Sequence, residues 1–331
     1  MENERTAVKS DSPTTIGRRS VLAAAAATPL VGLAPSAWAG SRAHPQPGFA
    51  RFEWLGTAGW RVRTPTTTLL VDPYLSRFDV GLAAGRFEKE APLTLDEAAV
   101  DAVLGTAGSA AGAVDAVLVS HTHWDHFADV PHIAATRDST VFTTLSGYHL
   151  AQSMGLPAGQ VAVVKGGEQL RIGDVVVRVV RSLHSRSGGG GLLFPGTRVH
   201  VPEPPTTIAD LPEGDTLGFV IRSPEGRGVL ILGASDYDDQ ALSGLEVETV
   251  MVPVPSSDVT AGYAERLMSA LARPRTVVLV HWDNFETPLS NPPRADSVTR
   301  ERMDSLIADL RRHSPRTRVL TPQYLTPLDL L

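Results

Sequence analysis

The sequence predicts an α/β domain built in layers. Two observations carry that reading. Short runs of β-branched and apolar residues, bounded by Gly, Pro and Asp, recur from Phe52 to Val280. Helical stretches fall between and after them, ending in a long charged amphipathic segment, "DSVTRERMDSLIADLRRHS".

In chain order, "FEWLGTAGWRVRT" alternates apolar and polar residues and reads as one strand, paired with "TTTLLVDPYL". A helix follows near residues 95–104, within an Ala-, Gly- and Leu-rich stretch. "AVDAVLVS" is a short buried strand. Residues 131–136 read as helix, "STVFTT" as strand, and "GYHLAQSMGL" as a helix closed by Gly155 and Pro157. "VAVVKGGEQLRIGDVVVRVVRSLHS" is strand, turn, strand, strand, with turns at Gly166-Gly167 and Gly173-Asp174. Residues 187–191 are a Gly run, and residues 192–215 form a long loop of the kind that shapes a binding site. "TLGFVIRSPEGRGVLILGASDY" is a hairpin and "TVMVPVP" a buried strand. "AGYAERLMSALARP" is an amphipathic helix stopped by Pro274, and "RTVVLVHWDNF" is a strand ending in a histidine.

The chain has 331 residues, 42% hydrophobic and 20% charged, which fits a folded globular protein. Thirty Lys+Arg against 36 Asp+Glu, with no basic block, argues against nucleic-acid binding. With no cysteine, any metal must be held by His, Asp or Glu. Past the first 40 residues, no apolar run is long enough for a permanent membrane anchor.

The first 39 residues follow another logic. Arg18-Arg19 precede an apolar stretch that runs from Val21 to Leu33, and Ala37-Trp38-Ala39 supplies a small-x-small exit site. Residues 1–39 are therefore expected to be a signal peptide that engages the twin-arginine export machinery, residues 40–48 a linker, and residues 49–331 the folded domain. Periplasmic or extracellular location follows. Gly17 and Val21 depart from the usual twin-arginine pattern, which has Ser or Thr and Phe at those positions.

"VLVSHTHWDHFADV" concentrates the chemistry. His121, His123, Asp125 and His126 crowd past the end of a strand, where residues two apart can face one side. One histidine at such a place is ordinary. Three with a carboxylate in six positions are a metal-ligand pattern, imidazole nitrogen and carboxylate oxygen being donors for zinc-like ions. His184, Asp236 and His281 each follow a later apolar strand and can deliver ligands to the same edge. His149 and His200 are read as structural or solvated in preference to substrate-binding. Trp124 and Trp282 flank ligands and are equally pocket walls or core, Asp283 and Glu286 are supporting acids or surface charges, and Arg186 is a possible partner for an anionic group.

"HTHWDH" resembles the His-x-His-x-Asp-His motif of the metallo-β-lactamase superfamily. "LGTAGWRVRTPTTTLLVDPYLS" and "VHWDNF" are similar to segments of its branch of ascorbate-phosphate lactonase type. The resemblance runs from Phe52 to Tyr324 and implies a four-layer αββα sandwich with metals at one edge. It implies that His121, His123 and His184 hold one metal, Asp125, His126 and His281 a second, and that Asp236 bridges them. Asp72 would orient a ligand histidine. Two departures stand out. "GASD" replaces the usual Gly-Asp pair at the bridging position, and Thr57 stands where many relatives carry histidine after Leu-Gly.

The expected activity is metal-dependent hydrolysis of an ester, lactone, amide or phosphodiester bond. It would use a hydroxide generated at two Zn²⁺ ions, or at Mn²⁺ or iron, with Asp125 orienting the nucleophile and accepting its proton. The substrate is expected to be a small molecule. The alternatives are an iron-dependent redox enzyme on the same fold and a non-catalytic metal-binding protein.

Overall fold

The computed structural model describes residues 48–331; the expected signal peptide and nearly all of the linker lie outside these residues. Two sheets face each other. The first contains β1 (Arg51–Gly56), β2 (Gly59–Arg63), β3 (Thr68–Val71), β4 (Ala116–Leu118), β5 (Thr140–Thr143), β6 (Val161–Val163) and β15 (Leu328–Asp329), in the order β15-β1-β2-β3-β4-β5-β6. The second contains β8 (Val175–Leu183), β9 (Thr216–Arg222), β10 (Gly228–Leu232), β11 (Asp236–Tyr237), β12 (Thr249–Pro253), β13 (Thr276–Val280) and β14 (Arg318–Leu320), in the order β11-β8-β9-β10-β12-β13-β14, with β7 (Gln169–Ile172) also paired to β8.

The helices are α1 (Glu97–Leu104), α2 (Trp124–Phe127), α3 (Val130–Arg137), α4 (Leu145–Ser153), α5 (Asp239–Leu242), α6 (Tyr263–Ala270) and α7 (Ser297–His313). Strand alternation assigns the layers. Leu69 and Val71 join the core between the sheets, together with Val177, Val179 and Phe219, while Leu70 between them points outward. Ala116 and Leu118 face the second sheet, and Val117 and Val119 face a separate core with Val100, Ile133 and Leu150 of α1, α3 and α4. On the far side α6 and α7 bury Leu267, Leu306 and Leu310. The architecture is the αββα sandwich.

"FEWLGTAGWRVRT" is two strands, not one. β1 and β2 form a hairpin around Thr57-Ala58, with φ of 88° at Gly56 and 51° at Thr57. The alternation continues through this short turn, so the pattern alone hid the break. β6 belongs to the first sheet although β7 and β8, next in sequence, belong to the second. Among the described residues, no helix is long and apolar enough to cross a membrane.

Candidate metal centre

Three chain segments meet where strands end on one edge of the sandwich. His121 stands three residues past β4, and His123 precedes α2, which carries Asp125 and His126 in its single turn. His184 directly follows β8 and His281 directly follows β13. Ligands separated by 160 positions in sequence thus share one edge.

The donor atoms form two triads, each within 4.8 Å: His121, His123 and His184; then Asp125, His126 and His281. The triads adjoin, the rings of His121 and His126 being 4.0 Å apart. In each ring one nitrogen is committed or isolated in a way that leaves the other as donor. His184 Nδ1 lies 2.7 Å from the Ser185 carbonyl and His123 Nε2 lies 2.9 Å from that of Leu193, so these nitrogens carry protons and Nε2 and Nδ1 respectively are free. His126 Nδ1 lies 2.9 Å from Asp72 Oδ2, which leaves Nε2 toward Asp125. His121 Nδ1 lies 3.0 Å from Ser120 Oγ, whose own proton goes to Asp72 Oδ2 at 2.6 Å. His121 Nε2 is buried with no hydrogen-bond partner. A buried orphan among unprotonated imidazole nitrogens is the chemistry of a cation site, so the residues fit a metal.

Asp72 therefore reaches one histidine of each triad, directly at His126 and through Ser120 at His121. It also accepts from the Ser120 backbone at 2.6 Å and is fully buried. Gly233 packs so closely on Ser120 and Asp72 that a side chain there would collide with both.

Burial and the charges of neighbouring histidines push the His121 pKa down, and burial likewise brings His123 to about 3, so both are neutral ligands at physiological pH. Burial lowers His184 as well. Burial opposes charge on both Asp125 and His126, but their mutual attraction outweighs it. His126 and His281 hold the Asp125 carboxyl well below the usual range, and Asp125 and Asp72 raise His126. Asp125 Oδ2 lies 3.0 Å from His281 Nε2.

Asp236 is not in this cluster. Two residues, Ala234 and Ser235, separate it from Gly233 and carry the chain past the sheet edge. Asp236 then pairs with Leu183 in β11, accepts from the Tyr237 N–H at 2.9 Å and lies 3.5 Å from Arg266 on α6. Gly233, Ala234 and Ser235 line the cleft in its place. The expected bridge is thereby corrected: the "GASD" spacing puts an alanine and a serine where the carboxylate was expected.

Trp124 and Trp282 are buried and both line the cleft. Asp283 is buried, bonded to Arg77 Nη2 at 2.8 Å, Tyr324 Oη at 2.8 Å and the Thr57 N–H at 3.0 Å. That network fixes the chain beside His281, whose φ of 59° is held by a 2.8 Å bond from its N–H to the Thr57 carbonyl. Glu286 accepts from the backbone N–H groups of Val80, Leu82 and Ala83, fastening a loop over the cleft. Arg186 donates to Gly190 and, with His149 and His200, lies outside the cleft lining. Arg77 and Ser120 were not anticipated. Ser120, adjoining His121, was within reach of sequence reasoning, whereas nothing local marks Arg77.

Residues 51–281 match the family described as "Beta-lactamase superfamily domain". The chain belongs to this superfamily. A member from Pyrobaculum calidifontis, described as a UPF0173 metal-dependent hydrolase, is 24% identical over 76% of this chain and 95% of its own length. Two solved structures are similar in fold. A possible metal-dependent hydrolase from Veillonella parvula has a TM-score of 0.53, with 17% identity over 86% of this chain and 100% of that one. CmlA, a diiron β-hydroxylase from Streptomyces venezuelae, has a TM-score of 0.52, with 16% identity over 86% of this chain and 55% of that one. Likeness of fold does not fix the chemistry, and function lies in the site.

Proposed function

We propose that this superfamily member is a metal-dependent hydrolase of a small acyl or phosphoryl substrate, with His121, His123 and His184 holding one Zn²⁺ and Asp125, His126 and His281 a second. The observation that carries the reading is the pair of adjoining triads on the floor of a cleft. The metal-dependent hydrolase relatives support it. Bound there, divalent cations lower the pKa of a coordinated water and polarise the bond to be cleaved. Asp125 lies against both His126 and His281, accepts the proton of the attacking water and returns it to the leaving oxygen or nitrogen. The lactone-cleaving and phosphodiester-cleaving alternatives share this machinery. Without a carboxylate from Asp236, each metal would rest on three protein ligands.

Elemental analysis of the purified protein, followed by hydrolysis assays of Asp125→Asn, tests the reading. Two zinc per chain and loss of turnover with at least one metal retained are expected. Iron together with substrate-dependent oxygen consumption would instead establish the redox reading, which the fold shared with CmlA keeps in view. The charge pattern and exit site of residues 1–39 support twin-arginine export to the periplasm or beyond.

A further inference from the structure

The cleft above the metal centre has a volume of about 580 Å³, the size of a small-molecule site. Its walls are more apolar than polar, with serines such as Ser185, Ser187 and Ser235 set among the apolar residues. Phe87 and Trp124 line it, and Phe194 packs on both from behind, with ring centroids 5.7–6.2 Å apart, beside His123. On the other side the Phe285 ring stands 5.3 Å from that of His281. Leu82 and Leu193 complete the entrance.

The charged groups of the lining outside the metal triads already have partners. Its three other acids are already committed: Asp283 to Arg77 and Tyr324, Glu286 to three backbone N–H groups, and Asp296 to the Thr299 N–H as the cap of α7. The lining contains a single Arg or Lys, Arg302, and its Nε lies 2.9 Å from Asp258 Oδ1. Among the described residues, no Arg or Lys without an acidic partner lines the cleft to supplement the metals in holding the charge of a phosphodiester or a second carboxylate.

We propose, on the hydrolase reading above, that the site takes uncharged acyl compounds with an aliphatic or aromatic body, namely esters, lactones or amides, in preference to phosphodiesters or dicarboxylates. The apolar body lies between Leu82, Phe87 and Phe285, with the carbonyl over the triads. Water adds its oxygen to the carbonyl carbon, the acyl–oxygen or acyl–nitrogen bond breaks, and the proton taken by Asp125 passes to the leaving atom. The products are a carboxylic acid and an alcohol or amine.

Two measurements on the zinc-loaded protein test this. In the first, p-nitrophenyl esters of increasing acyl length, bis(p-nitrophenyl) phosphate and ω-carboxylate acyl esters are compared. The expected kcat/KM rises about fourfold per added methylene until the cleft is filled, and exceeds that of the phosphodiester and ω-carboxylate compounds. In the second, calorimetry follows binding of uncleavable 2-alkanones, whose affinity is expected to climb with the same slope. Leu82→Ser, at a residue 43% exposed and so tolerant of change, and Phe87→Ala should each flatten both slopes. Preference for the phosphodiester or the ω-carboxylate ester, or flat slopes in the wild type, overturns the proposal while leaving hydrolysis standing. Graded 2-alkanone binding without turnover of any ester, lactone, amide or phosphodiester tested supports the apolar site and overturns the hydrolase reading instead.

Discussion

Asp72→Asn isolates the part played by one buried carboxylate in preparing both metal triads. Asn keeps the side-chain shape, and the backbone there, with a φ of 43°, is one that Asn tolerates. The amide oxygen can still accept from the Ser120 N–H, but an NH₂ replaces the oxygen that faces His126 Nδ1 at 2.9 Å and Ser120 Oγ at 2.6 Å. A donor now confronts a donor. His126 must turn its proton to Nε2, the nitrogen needed for the metal, and the Ser120 hydroxyl loses the acceptor that orients it toward His121. Loss of such a supporting partner weakens metal binding by about 10- to 100-fold, or roughly 1.4–2.7 kcal/mol. Competition against a chromophoric chelator, resolving two binding steps, should show both steps weakened in Asp72→Asn. Ser120→Ala should weaken only the step that uses His121. Two unchanged affinities in Asp72→Asn, with the fold intact by circular dichroism, would refute the reasoning.

Arg77→Met should be among the most damaging changes remote from the metals, because it strands the fully buried Asp283 carboxylate. A loss of about 3–5 kcal/mol is expected in urea unfolding at unchanged m-value. Asp236→Asn should leave zinc stoichiometry untouched and cost under about 1 kcal/mol, since its contact with Arg266 is partly exposed. A halved zinc content would mean that Asp236 swings in to bridge. The metal-free protein should lose stability on acidification from pH 7 to 5.5. His121, His123 and His184 have folded pKa values below the unfolded value of about 6.5, so the unfolded chain binds protons that the native chain refuses. His126, raised, contributes the opposite sign, and its stabilisation fades as pH rises. Three lowered groups against one raised make the balance a net loss, readable by urea titration in chelator, and equal or greater stability at pH 5.5 would contradict it.

Much of the fold was legible because burial on two faces leaves a plain mark. Strands such as "VVVRVVRSL" and "TVVLV" are β-branched runs bounded by turns, and each ends where a histidine was anticipated. What escaped the sequence was set by geometry rather than residue type. The β1–β2 turn hides inside an unbroken alternation, and sheet membership of β6 depends on tertiary pairing. Asp236 illustrates the limit at the site. A carboxylate after a strand is the right chemistry, but two intervening residues decide whether it meets a metal or an arginine. Arg77 and Glu286 act across 206 and 203 to 206 positions respectively, and no local pattern announces a partner so distant.

The triads also straddle the two sheets. His121, His123, Asp125 and His126 hang from the first, while His184 and His281 hang from the second. A cation seated in either triad is therefore a staple across the mouth of the sandwich, added to the few hydrogen bonds that join the layers at that end, such as His281 N–H to the Thr57 carbonyl and Leu217 N–H to the Ser120 carbonyl. Its strength depends on supply: free metal at a hundred times Kd would add about 2.7 kcal/mol to the fold. Scarcity of metal would then reach beyond turnover, letting the layers part at the very edge where substrate enters and exposing the loops there to proteases.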